Sequence, residues 1–171
     1  TRYGSPTLAV AEDQEQVDKL LDLRERTGRP ATIVYDDRRG LGAYAAPGIL
    51  SFDALVARGA ARLAAEPGLA QDLVNRAGAD DVSVLLHSSG TTGLPKGIPL
   101  RHRNVLGGVA NAVAGGYFAE REELFAYLPT AWVGDYVFTL GAGLAVRATI
   151  NVPERQETVL HDLREVAPTF Y

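Results

Sequence analysis

The 171-residue chain carries 17 Lys and Arg against 21 Asp and Glu, a formal charge of -4, with 46% apolar side chains and neither cysteine nor methionine. These figures fit one domain-sized soluble chain with a single core, and they exclude a disulfide framework, a thiolate zinc site and a cysteine nucleophile. Three scattered histidines argue against a dedicated metal centre and the mild acidity against a nucleic-acid surface, while the longest uncharged run, residues 104–119, is too short and glycine-rich to span a bilayer.

Residues 7–11 form a short apolar run, followed by Glu12, Asp13 and Glu15, then Val17, Leu20 and Leu21 at helical spacing, and finally Arg24, Arg26 and Gly28. Acids first, bases last and glycine after suit the helix dipole and a left-handed cap. With the apolar residues 31–35 this predicts a strand-helix-strand unit over residues 7–35, closed by a turn at 36–40. Residues 41–48 read as a Gly/Ala/Pro loop. Ser51 is an N-cap for a helix that sets Phe52, Leu55, Val56 and Leu63 on one stripe and stops at Glu66 before Pro67-Gly68.

Residues 82–87 are almost continuously apolar, the pattern of a strand covered on both faces. A Gly/Ser/Thr-rich loop over residues 88–97 leads to a short returning strand at 98–100, placed at an edge by Pro99. Asn104 is the expected cap of a helix running to Phe118, whose small residues permit close packing. A strand at 124–128 stopped by Pro129, a helix over 132–144 weakened by Gly141 and Gly143, a strand at 148–152, a helix carrying Val159, Leu163 and Val166, and an extended segment from Pro168 complete the order. The alternation predicts an α/β fold: an open, mostly parallel, doubly wound sheet with helices on both faces, in a single α/β subdomain over residues 1–171. Ending on an apolar strand predicts that the chain is part of a larger fold.

The segment Ser88-Ser89-Gly90-Thr91-Thr92-Gly93-Leu94-Pro95-Lys96-Gly97 follows the clearest strand, and ligands of open α/β sheets bind at the carboxyl ends of strands. Its glycines allow close backbone approach, its hydroxyls offer adjustable donors and its ammonium is a point charge, which together suit a polyphosphate. Lys96 is one of two lysines among fifteen arginines, and residues 82–119 contain no Asp or Glu while holding Lys96, Arg101 and Arg103; three cations in an acid-free stretch can focus positive potential. The same composition also serves ordinary turns. The usual nucleotide loop needs glycine immediately before the lysine and Ser or Thr after it, whereas Pro95 and Gly97 stand here. There is no nucleophile elbow, because no glycine lies two residues before Ser88 or Ser89. His87 reads as a scaffold histidine, His161 as a surface one, and Asp80-Asp81 and Glu122-Glu123 as solvated element ends.

The decapeptide resembles the phosphate-binding signature of the AMP-forming acyl-CoA synthetases and related adenylating enzymes at all ten positions, and His102 and Asn104 match the His-x-Asn that follows. The resemblance implies that Ser88, Ser89, Gly90, Thr91, Thr92, Gly93 and Lys96 bind the ATP phosphates, with Lys96 and Thr91 catalytic and Thr91 near Mg2+. Tyr127-Leu128-Pro129-Thr130-Ala131-Trp132-Val133-Gly134-Asp135 is similar to a segment of the long-chain fatty acyl-CoA synthetases, with Trp132 in place of a histidine and Asp135 in place of a glutamate. Trp132 and Val133 are thereby candidates for the acyl or adenylate pocket, Trp132 reading equally as a core or sheet-covering aromatic. The family implies a carboxylic acid, ATP and coenzyme A as substrates, with acyl-AMP as intermediate.

The family's magnesium-linked glutamate, adenine contacts and C-terminal lysine have no counterpart in these residues, so the expected entity is a fragment of a long-chain fatty acid–CoA ligase, inactive alone. Another acid-adenylating enzyme, aryl or amino acid, and a catalytically silent phosphate-binding module are the alternatives. No secretion signal is present at Thr1, giving an expected cytoplasmic location, with peripheral attachment to a membrane left open.

Overall fold

In the computed structural model, which describes residues 6–44, 46–88 and 95–171, the chain separates into two units, residues 1–76 and 77–171. In the first, β1 (Leu8–Ala11), β2 (Thr32–Tyr35) and β3 (Ile49–Ser51) pair in parallel in the order β1-β2-β3, with Leu8 opposite Thr32 and Ile33 opposite Ile49. The connection from β1 to β2 is α1 (Gln14–Thr27). Asp13 starts it by accepting the Gln16 N–H at 3.0 Å, and Gly28, at φ 72°, ends it by donating its own N–H to the Arg24 carbonyl at 2.7 Å. Only the left-handed φ demands glycine there.

Val17 of α1 packs with Ala11, Ile33 and Leu41 in the core of this unit. Ile33 and Val34 are both fully buried, and because successive strand residues face opposite ways, both faces of β2 are covered. Ser51 caps α2 (Phe52–Ala65) as expected, its Oγ accepting the Ala54 N–H at 3.2 Å.

Two elements escaped the sequence reading. β3 is three residues long, too short for a periodic signal. α3 (Leu69–Arg76) starts directly after Pro67-Gly68, which read only as a stop; the Gly68 carbonyl accepts the Asp72 N–H and so serves the next helix too.

In the second unit β4 (Val82–Ser88) and β5 (Lys96–Arg101) form an antiparallel hairpin, while β6 (Glu123–Phe125) and β7 (Thr149–Asn151) pair in parallel. The expected α/β class with parallel pairing is present, and among the described residues the strands pair in three sheets rather than one. β4 is not covered on both faces: none of its residues is buried, and Val82 and Leu85 are 55% and 40% exposed.

α4 (His102–Ala114) ends four residues earlier than expected and is not capped by Asn104. Arg101 occupies the cap, and Asn104 sits three residues in, its Oδ1 accepting the Arg101 N–H at 3.0 Å. This is the reciprocal half of a capping box.

The helix expected over residues 132–144 is π-helical over Asp135–Ala142 and continues as α5 (Gly143–Val146). Its glycines are contact points. A Cβ on Gly141 would stand 3.0 Å from Val109 Cγ2 of α4, and one on Gly143 3.0 Å from Ile150 Cδ1 of β7. The glycines of α4 itself, Gly107 and Gly108, face open space, so the close approach depends on the π-helix and not on α4.

The core of this unit joins Val109, Phe118, Leu124, Ala142 and Val146. Phe170 bridges to Leu124 in parallel, which accounts for the extended terminal segment. It is pinned by Thr169, whose N–H donates to the Glu123 carbonyl at 2.9 Å and whose hydroxyl donates to the Glu122 carboxylate. That hydroxyl first, and the Ala119 N–H second, hold the Glu122 carboxyl below its ordinary value, so the Glu122-Glu123 pair is a structural clamp and not a merely solvated end. α6 (Val159–Val166) carries the expected Val159, Leu163 and Val166 and follows a turn in which Thr158 Oγ1 donates to Asp162 at 2.6 Å. Among the described residues no helix is long and apolar enough to cross a membrane.

Candidate functional site

The hairpin fixes where the two ends of the loop lie. β4 delivers Ser88 and β5 begins at Lys96, and the register sets them opposite each other, with Cα atoms roughly 5 Å apart as in any antiparallel pair. A half-buried hydroxyl and an exposed ammonium therefore flank the open end of the hairpin. Ser89, Gly90, Thr91, Thr92 and Gly93 lie outside the described residues. Gly97 is inside β5, opposite His87, where a Cβ would press to 3.2 Å of Leu85 Cδ1; its absent side chain serves strand packing.

The three expected cations do not act together. The antiparallel register sets Arg101 opposite Val82, which brings Arg101 and Arg103 to Asp80. Arg103 Nη1 lies 2.6 Å from Asp80 Oδ1, and Arg101 lies 3.9 Å from it while also donating to the Asp80 carbonyl. Asp80 is thus an ion-pair partner and Asp81 accepts the Gly78 N–H at 2.7 Å, while both remain exposed, as solvated ends are. Lys96 makes no ion pair among the described residues, so the charge left at the loop is its own.

Beside Ser88 opens a cavity of about 520 Å³ lined by Leu86, His87, Ile98, Leu100, Trp132 and Val133 among others. Trp132 reaches it from a turn: its N–H donates to the Pro129 carbonyl at 2.9 Å and its carbonyl accepts the Tyr136 N–H at 3.2 Å. It is 60% exposed, a wall of the cavity and not a core aromatic. His87 is likewise exposed at the cavity. The sequence reading missed two residues that hold this wall in place. Ser83 Oγ and Tyr136 Oη are 2.7 Å apart and tie β4 to the π-helix, a pairing 53 residues apart that no local pattern announces. Asp135, next to them, is only 9% exposed, and its Oδ1 has no hydrogen-bond partner among the described residues.

A second, aromatic cavity of about 280 Å³ lies between β6 and the π-helix, walled by Phe125, Tyr127, Phe138 and Phe170 among others. On α6, His161 Nδ1 stands 3.6 Å from Asp162 and 3.7 Å from Glu165 on an exposed face. Asp162 already accepts the Thr158 hydroxyl and the Glu154 N–H, which, the hydroxyl first, lower its pKa.

The family model described as AMP-binding enzyme matches residues 4–171. The chain belongs to the AMP-binding enzyme family. Among AMP-binding relatives, the long-chain-fatty-acid–CoA ligase heimdall of Drosophila melanogaster is 25% identical over 97% of this chain and 25% of its own length. The 4-coumarate–CoA ligase 3 of Oryza sativa subsp. japonica is 41% identical over 43% of this chain and 14% of its own. The chain thus spans a quarter or less of the length of these two curated relatives. Among solved structures, ATP-bound MatB from Rhodopseudomonas palustris superposes with a TM-score of 0.58 at 22% identity, over 94% of this chain and 28% of that one. McyG A-PCP complexed with phenylalanyl-adenylate gives 0.54 at 23% identity, over 90% and 24%. At such identities the likeness is one of fold: this chain is α/β and corresponds to part of a larger adenylating-enzyme fold.

Proposed function

We propose that the protein containing these residues activates a carboxylic acid with ATP, releasing pyrophosphate, and passes the acyl group from AMP to the thiol of coenzyme A. One observation carries the reading: the Ser88–Lys96 pair closes a loop of phosphate-binding composition directly beside an apolar cavity. A carboxylate is a poor electrophile, and forming a mixed anhydride with AMP gives its carbonyl a good leaving group.

Lys96 holds the β and γ phosphates and offsets the charge that grows on departing pyrophosphate, with Ser88, Ser89, Gly90, Thr91, Thr92 and Gly93 donating around them. Thr91 is the proposed contact for Mg2+, which when bound neutralises phosphate charge. Trp132 and Val133 wall the acid away from water. We place the reaction in the cytoplasm, and the acid among fatty acids, on the Leu128-Pro129-Thr130-Ala131 segment. The 4-coumarate–CoA ligase likeness supports an aryl acid as the second reading.

ATP–pyrophosphate exchange on the full-length protein, with fatty, aryl and amino acids in parallel, tests the proposal. Exchange that depends on an acid and falls in Lys96→Ala supports it. No exchange with any acid leaves a catalytically silent phosphate-binding module.

A further inference from the structure

The ladder between β4 and β5 skips one residue. Val82 pairs with Arg101 and Val84 with Leu100, so Ser83 is a bulge without a partner on β5. A bulge turns a side chain out of the ladder, and here Ser83 Oγ lies 2.7 Å from Tyr136 Oη of the π-helix. Among the described residues no other hydrogen bond joins β4 to that helix. Packing beside the pair is open: the two residues line a third cavity, of about 220 Å³, with His102, Val105, Leu106 and Leu140 on its other walls. Tyr136 also bonds through its backbone. Its N–H donates to the Trp132 carbonyl at 3.2 Å, so a single residue links β4 to the turn that carries Trp132.

Resting on the adenylating reading, we infer that Tyr136 is a positioning residue: bonded to the bulged Ser83, it fixes the Trp132 wall against the hairpin that holds Ser88 and Lys96. The residues facing Trp132 across the loop cavity include Leu86, Ile98 and Leu100. Their apolar attraction is non-directional and permits the wall to slide, whereas a hydrogen bond holds both distance and angle. β4 has no buried residue of its own to resist that sliding. Activation needs a carboxylate oxygen in line with the α phosphorus, and a displacement of about 1 Å there costs about a hundredfold in rate. Neither hydroxyl touches substrate in this role; the pair acts through the turn at Trp132.

The test compares Ser83→Ala, Tyr136→Phe and the double variant in the full-length protein. It reads kcat for ATP–pyrophosphate exchange, the thermal midpoint, and the emission of Trp132, isolated by difference from a Trp132→Phe protein. Each single change leaves one half-buried hydroxyl unpaired and should lower the midpoint, while the double change removes both groups and should restore most of it. In all three, kcat should fall about tenfold to a hundredfold and Trp132 emission should shift. The double variant should be no slower than the singles, and the KM for ATP should stay within about twofold. A kcat that recovers with the midpoint in the double variant, or one unchanged in the folded singles, overturns the inference while the adenylating reading stands. Losses that multiply in the double variant, or an unmoved Trp132 emission, do the same. Absence of exchange in the unsubstituted protein overturns both.

Discussion

Removing Lys96 should weaken phosphate handling in a way that removing Arg101 does not, although both lie in the same acid-free stretch. Lys96 begins β5 and Arg101 ends it; at about 3.4 Å per residue they are roughly 17 Å apart. A unit charge pair at that distance in water is worth only about 0.2 kcal/mol, and a Debye length of about 8 Å at physiological salt removes most of it. Arg101 is moreover engaged with Asp80. A pair at about 4 Å gains about 1 kcal/mol in water and about 4 kcal/mol at the effective dielectric of a protein surface. Lys96 is exposed, so the lower end applies, a loss of about five- to tenfold. The assay is ATP–pyrophosphate exchange on the full-length protein, with thioester formation from supplied acyl-adenylate as control. Lys96→Ala should depress the first more than the second, and Arg101→Ala should leave both near the unsubstituted value. Equal losses in the two variants would refute the assignment of the loop charge to Lys96 alone.

Leu124, 2% exposed between β7 and Phe170 in the core of the second unit, should cost about 2–5 kcal/mol when replaced by alanine, in urea unfolding of residues 77–171. Gly28→Ala meets no atom within 4 Å but keeps φ 72°, so its cost is backbone strain alone, about 1 kcal/mol in thermal unfolding. Because the folded Glu122 carboxyl lies below its ordinary value near 4.5, the stability it adds is present above that pH and lost as pH falls through the lower folded value. Thr169→Ala should return the Glu122 titration, followed by NMR, toward 4.5 and flatten that acid dependence.

Much of this molecule is written locally. Asp13 and Gly28 mark the ends of α1 and Ser51 marks the start of α2, because caps and turns are built from neighbours in sequence and need specific residue types at fixed offsets. β3 and α3 were lost for the same reason in reverse: one is too short to show a period, and the other hides behind a Pro-Gly that ordinarily means a stop. Tertiary structure alone decided which charge remains at the loop, since pairing Val82 with Arg101 is a matter of register and not of composition. It also decided that Trp132 faces a cavity and that Ser83 meets Tyr136. Those facts rest on contacts between distant segments, where the residue met across the gap, and not the sequence neighbour, sets the chemistry.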